Sequence, residues 1–167
     1  RGQRPEVLGC SSRFLGVSVM SQRLTISEYH DLCHADPAFE RTELLRGTIY
    51  DTEKKTPQHC HLVNRLRARC EQIADVDCYV RQENPIAHPS SDSELEPDIA
   101  IVKGDLRDHG RAHPATAEFI IEVAIYSLEL DREKGIVYAE AGVPEFWIVL
   151  PEEQAIEVYT SPSAEGY

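Results

Sequence analysis

The chain lacks most of the features that sort proteins quickly. None of its five cysteines (Cys10, Cys33, Cys60, Cys70 and Cys78) forms a C-x-x-C pair. An odd number also argues against a complete disulfide framework, so free thiols in a reducing cytoplasm are the expectation. No run is long and apolar enough to span a membrane, because the longest, Phe119 to Ile125, is broken by Glu122. No secretion-signal pattern is present. Serine-nucleophile motifs and phosphate-cradling glycine loops are missing. Positive charge is scarce: 17 basic against 29 acidic residues give a net charge of −12. That balance argues against broad electrostatic adhesion to nucleic acid or anionic membrane, while leaving room for a local basic groove or a bound cation.

What is there is ordinary in bulk. Apolar residues make up 41% and charged residues 28% of 167 positions, enough for one domain with its own core. Residues 1–19 stand apart, since the only methionine is Met20 and well-patterned sequence starts there. The expectation is a leader or upstream extension over 1–19 and a single domain over 20–167. The chain stops at Ser163-Ala164-Glu165-Gly166-Tyr167, in what reads as mid-element, which predicts that a final strand is missing.

Local signals order the rest. Thr25-Ile26-Ser27-Glu28 is a capping box for a helix running to about Ala35. A strand pair over Glu43 to Asp51 turns at Arg46-Gly47. Thr56-Pro57 places a cap and a first-turn proline before a second helix, whose apolar face is Leu62, Val63, Leu66, Cys70 and Ile73. Strands follow around 78–83 and 97–103, separated by a polar loop from Asn84 to Glu96. The Glu122 strand comes next, then a short helix from Asp131 to Ala141, stopped by Gly142 and Pro144. Strands at Glu145–Leu150 and Ala155–Thr160 close the order. This predicts an α/β (α+β) fold, a mixed sheet flanked by helices.

The chemistry concentrates on Glu122. Phe119-Ile120-Ile121-Glu122-Val123-Ala124-Ile125 reads as a central strand covered on both faces, where an unpaired carboxylate costs several kcal/mol. Glu122 must therefore be protonated, paired or bound to a metal. Asp98 opens a similar run, and alternation puts Glu122 on one face with Ile120 and Ala124. If the two strands are neighbours, Asp98 and Glu122 converge on one hard cation, Mg²⁺ or Mn²⁺, with the Val123 carbonyl as a further ligand. Lys134, in the first turn of the next helix, would reach over the site to position water or neutralise phosphate. Other clusters carry less. His30, Cys33 and His34, and likewise His59, Cys60 and His61, lack ordinary zinc spacing. Arg65, Arg67 and Arg69 read as a solvated helix face. Arg107, His109, Arg111 and His113 fill a loop that is the best placed for phosphate contacts.

The segments RLTISEYHDL, RTELLRGTIYD, TPQHCHLVNRL, NPI, SELEPDIAIV, IIEVAIYSLELDREK and YAEAGVPEFWIV, in that order, resemble the Uma-type putative restriction endonuclease family, a bacterial branch of the PD-(D/E)XK nucleases. The resemblance implies a restriction-endonuclease-like fold and a Mg²⁺-dependent cytoplasmic endonuclease acting on DNA, and leaves a homodimer open. It makes Asp98 the PD aspartate and Glu122 the second acid. The lysine expected two residues after Glu122 is replaced by Ala124, and Lys134 matches its displaced position on the following helix. Glu43 resembles the upstream glutamate of an E-L-I-x-G segment, and His59 a histidine at a helix start. The chain departs from the pattern at Ile125-Tyr126, at Gly47-Thr48, and in a tight Asp131-to-Lys134 spacing followed by Gly135, which costs a helix roughly 1 kcal/mol. Two alternatives follow: a catalytically inactive binding protein on a nuclease fold, and a hydrolase of a small phosphodiester, which the negative charge suits better than long DNA.

Overall fold

The computed structural model describes residues 23–52 and 55–167. The predicted leader, residues 1–19, lies outside them. Among these residues, three α-helices and nine strands follow in the order α1 (Ile26–Ala35), β1 (Thr42–Leu45), β2 (Thr48–Asp51), α2 (Pro57–Ile73), β3 (Cys78–Gln82), β4 (Ile86–His88), β5 (Ser93–Leu95), β6 (Ile99–Lys103), β7 (Phe119–Val123), α3 (Leu128–Glu140), β8 (Glu145–Leu150) and β9 (Ala155–Thr160). The helix starts are set by side chains. Thr25 and Glu28 form the reciprocal capping box, and Thr56 Oγ1 accepts the His59 amide ahead of Pro57.

The strands form two sheets. The larger runs β3-β6-β7-β8-β9 and the smaller β2-β1-β5-β4. All pairings are antiparallel except β7 with β8, whose parallel register (Ile120 opposite Phe146, Glu122 opposite Ile148) requires a crossover, supplied by α3. Alternation on the central strands separates two cores. Ile99, Ile101, Ile121 and Val123 pack against α2 through Val63 and Cys70. Ala100, Val102, Ile120 and Ala124 face α3 through Val137 and Tyr138, joined by Leu45, Ile86 and Leu95 of the smaller sheet. The mixed sheet flanked by helices is as expected, and the smaller sheet is added to it.

Two boundaries differ from the sequence reading. The stretch Asn84 to Glu96 is not a polar loop. It holds β4 and β5, which extend β1 into a sheet and bury Ile86 and Leu95. Strands of three residues are too short to show alternation, so the pairing partner rather than local pattern decides them. Helix α3 begins at Leu128, three residues before the expected Asp131, with the Asp131 amide donating to the Ser127 carbonyl at 2.9 Å.

Backbone hydrogen bonds fix the end of α3. Gly142 takes φ +76°, its amide donates to Ala139 O, and the Val143 amide donates to Tyr138 O. This is a Schellman motif, and Val143 and Tyr138, both buried, make its apolar contact. The stop signal read in Gly142 thereby also fixes the turn that carries Tyr138.

Candidate active site

The β6–β7 register pairs Ile99 with Ile121, so the next step of the antiparallel ladder sets Asp98 across from Glu122. Each holds the other's strand. The Asp98 amide donates to Glu122 Oε2 at 3.1 Å, and the Val123 amide donates to Asp98 Oδ2 at 2.7 Å. Glu122 faces α3, as alternation requires, and is 3% exposed. Tyr138 Oη donates to its Oε1 at 2.8 Å.

Three elements deliver further charge to the same place. Lys134 Nζ lies 3.4 Å from Glu122 Oε1 and 3.7 Å from Asp131 Oδ1. It donates to Glu43 Oε1, on β1, at 3.2 Å. The nearer oxygen, Glu43 Oε2, pairs with the same ammonium at 2.9 Å. From α2, His59 Nε2 sits 3.0 Å from Asp98 Oδ1 and 3.1 Å from Oδ2. Glu43, Asp98, Glu122, Asp131 and Lys134 are all buried, at the floor of a cleft also lined by Tyr50, Lys55, Ile125 and Leu130.

The electrostatics follow from the count: four buried carboxylates share one ammonium and one imidazole. Burial raises the Glu122 carboxyl well above its usual range, Lys134 opposes this, and Asp131, Asp98 and Glu43 add to it. Burial likewise pushes Asp131 up to about 6, against the pull of Lys134 and the Ser127 hydroxyl. Burial pulls the Lys134 ammonium down, but Glu122, Glu43 and Asp131 more than reverse this and hold it above its usual value. Lys134 is thus a fixed cation that can donate a proton contact but cannot accept a proton. The Asp98 hydrogen bond raises His59 despite its burial.

The structure brings Asp98, Glu122, Val123, Lys134 and Glu43 together. The tight spacing noted between Asp131 and Lys134 is one helical turn that points both side chains at the cleft. Sequence reasoning missed Asp131 and Tyr138 as site residues. Asp131, Lys134 and Tyr138 recur at i, i+3 and i+7, the stripe of one helix face, and that spacing was the available signal. Tyr126, one of the departures, is 79% exposed and stays out of the cleft. The loop carrying Arg107, His109, Arg111 and His113 leaves from the Lys103 end of β6, opposite the Asp98 end. Arg107 is engaged by Asp105 at 2.8 Å.

The histidine clusters have separate occupations. His30 Nε2 pairs with Glu94 Oε2 at 2.9 Å, and His34 Nδ1 bonds to the His30 carbonyl at 2.7 Å. Among the described residues, the group whose ligand atoms converge is His59, Glu83 and Asp98, all within 4.8 Å of one another. None of the helices among the described residues is long and apolar enough to cross a membrane.

Comparison with known proteins agrees with this architecture. The crystal structure of a putative nuclease belonging to DUF820 from Anabaena variabilis is similar, with a TM-score of 0.65 at 16% sequence identity, over 83% of this chain and 86% of that one. At that identity the likeness concerns the fold. No curated protein matches the chain. The profile of Uma2, described as "Putative restriction endonuclease", matches residues 26–167. The chain belongs to the Uma2 family.

Proposed function

We propose that the chain is a divalent-metal-dependent nuclease that hydrolyses phosphodiester bonds of DNA. Asp98 and Glu122 would hold the ion with the Val123 carbonyl, and Glu43 would complete the shell. The observation that carries this reading is the charge imbalance at the cleft floor, where a single ammonium serves three buried carboxylates. The donor set is all oxygen, which suits Mg²⁺ or Mn²⁺. Bound there, the ion would polarise a phosphoryl oxygen and acidify a water.

The chain's own groups divide the remaining work. The Val123 amide locks the Asp98 carboxylate in place, and Tyr138 Oη steadies Glu122. Lys134, held protonated by the carboxylates around it, donates to the attacking water or to a non-bridging phosphate oxygen. Ile125 and Leu130 line the cleft. DNA as substrate rests on family membership and on the nuclease named as a structural relative. A second reading, hydrolysis of a small phosphodiester, is favoured by the net charge of −12, which penalises a long polyanion.

Calorimetry with Mg²⁺ and Mn²⁺ on wild type and Asp98→Ala, with plasmid and model-diester cleavage at low and moderate salt, tests both. The expected result is metal binding that Asp98→Ala removes, and plasmid cleavage that Glu122→Gln abolishes in a folded protein. Absence of metal binding in the wild type would leave only an inactive nuclease-fold binding protein.

A further inference from the structure

We propose that the α2 side of the β7-β8-β9 wing, at the end of the sheet remote from the cleft, is a docking surface for a cationic, apolar-anchored segment of a partner protein. A groove of about 390 Å³ lies there, between the C-terminal end of α2 and the starts of β7 and β8. The cleft uses the opposite strand ends, where Asp98 precedes β6 and Val123 closes β7. The length of β7 separates the two places by about 13 Å, so an occupant leaves the cleft open.

Apolar surface is left open on this wing. Helix α2 packs on β3, β6 and β7. Beyond them the same face continues as Trp147 and Val149 of β8, set opposite Val158 and Ile156 of β9. Val158 is 56% and Ile156 48% exposed, and at the end of α2 Ile73 is 70% exposed. In the groove, Phe119 and Trp147 meet edge to face with ring centroids 5.1 Å apart. The Trp147 indole N–H donates to Glu145 Oε1 at 2.6 Å, which fixes the ring at the foot of β8. Neighbouring strands are about 4.8 Å apart, so apolar side chains carried across three of them offer the width of a peptide segment rather than of a small ion. A contiguous apolar patch with a polar rim marks a place of association.

The rim decides what the occupant is. Asp75, Asp77, Glu118 and Glu145 border the groove, and Lys103 is the single cation among the described residues that line it. Lys103 Nζ comes no nearer than 3.7 Å to Asp77, and both side chains are exposed. Burial raises the Cys78 thiol, and Asp77, Glu118 and Asp75 raise it further, as a converging negative potential requires. With a net charge of −12 behind it, this rim disfavours a phosphate backbone and an anionic bilayer alike. A second copy of the chain would set the same four carboxylates against each other, because a two-fold contact pairs a patch with itself. The complementary partner carries Lys or Arg beside a large apolar side chain. The apolar group covers Ile73 and the Phe119–Trp147 pair, and the cations meet the rim carboxylates and the indole face.

Trp147 is the only tryptophan, so its fluorescence reports on the groove directly. The full chain is titrated with a synthetic Lys/Leu peptide, amphipathic at helical spacing, and in parallel with Glu/Leu and Lys/Ser peptides. The Lys/Leu peptide should shift the emission saturably, and the other two should not. Asp75→Lys combined with Asp77→Lys should weaken binding about tenfold or more. The equal reversal Glu152→Lys with Glu153→Lys, at exposed positions beyond the other end of β8, should leave it unchanged. Ile73→Ser and Val158→Ser, both at exposed positions, should each weaken it about fivefold or more, at low and at moderate salt. Circular dichroism checks that each variant keeps the wild-type fold. Asp98→Ala should bind the peptide as the wild type does, which separates this result from the metal-dependent reading. Lack of a saturable Trp147 response overturns the proposal. Equal weakening by the two charge reversals overturns it as well, because the attraction would then be to net charge alone. A wild-type dimer in sedimentation that Ile73→Ser and Val158→Ser dissolve would give the face to a second copy and sink it too.

Discussion

Asp131→Asn isolates the electrostatic cost of the cleft. In the wild type, burial pushes the Asp131 carboxyl from 3.8 up to about 6, even with Lys134 Nζ 3.7 Å away. The reason is that Lys134 is already shared with Glu43 and Glu122. A carboxyl raised on folding favours the native state fully below its unfolded pKa and loses that contribution as pH climbs through the folded value. For Asp131 the window is therefore about pH 4 to 6. A shift of about two units at roughly 1.4 kcal/mol per unit makes the loss about 3 kcal/mol. Asparagine cannot ionise, yet its amide oxygen can still accept from Ser127 Oγ, which donates to Asp131 Oδ2 at 2.5 Å in the wild type. Urea denaturation with chelator present, from pH 4 to 8, should show Asp131→Asn gaining about 2–3 kcal/mol on the wild type between pH 4 and 7. Asp131 is among the charges that raise Glu122, so the substitution also eases Glu122 ionisation and adds to the variant's gain as pH rises. Parallel curves, within the roughly 0.5 kcal/mol that extrapolation allows, would refute the reasoning. So would a variant that loses ground as pH rises, because Asp131 would then be a stabilised carboxylate paired with Lys134.

Two further outcomes follow from the packing around Lys134. Lys134→Met leaves Glu43 and Glu122 facing each other without the ammonium, a loss of about 3–5 kcal/mol at pH 8 that shrinks toward pH 5 as Glu122, already raised by burial, takes up its proton; urea midpoints at the two pH values read it. Gly135→Ala places a Cβ 2.8 Å from Phe146 Cε1, and overpacking of about 1–3 kcal/mol outweighs the gain of roughly 1 kcal/mol in helix propensity. Its melting temperature should fall by a few degrees and recover on adding Phe146→Leu; a rise in the single variant would mean that the helix shifts freely.

How much of this was legible follows residue type. Caps and stops are local, so Thr25, Thr56 and Gly142 marked their helix ends correctly. Alternation on a central strand is nearly local, which is why Glu122 could be placed on one face with Ile120 and Ala124 before its neighbours were known. The three-residue strands β4 and β5 could not be, since β5 is fixed by its pairing with β1 across some fifty residues and β4 by its pairing with β5. Asp131 was read as a helix start and not as part of the site, because Leu128-Glu129-Leu130 has no sharp N-terminal signal and Ser127 spends its hydroxyl on the Asp131 side chain. Glu83 was overlooked for a different reason. It joins His59 and Asp98 only once β3 pairs with β6, a contact with no trace in spacing.

The displaced lysine ties the site to the core. On the strand, a lysine at the Ala124 position would lie on the same face as Glu122 and need no other element. Here Ala124 is buried and small, and Gly135 lets α3 lie against Phe146 with no side chain between them. Both small residues bring α3 close enough for Lys134 to reach Glu122, and the Schellman turn at Gly142 seats Tyr138 one helical turn further on. The cation that balances the carboxylates is therefore positioned by helix–sheet packing, not by strand geometry. Core substitutions that lift α3 should perturb the charge balance at the cleft, while equally destabilising changes on the α2 side, at Val63 or Cys70, should leave Lys134 and its three carboxylates in register.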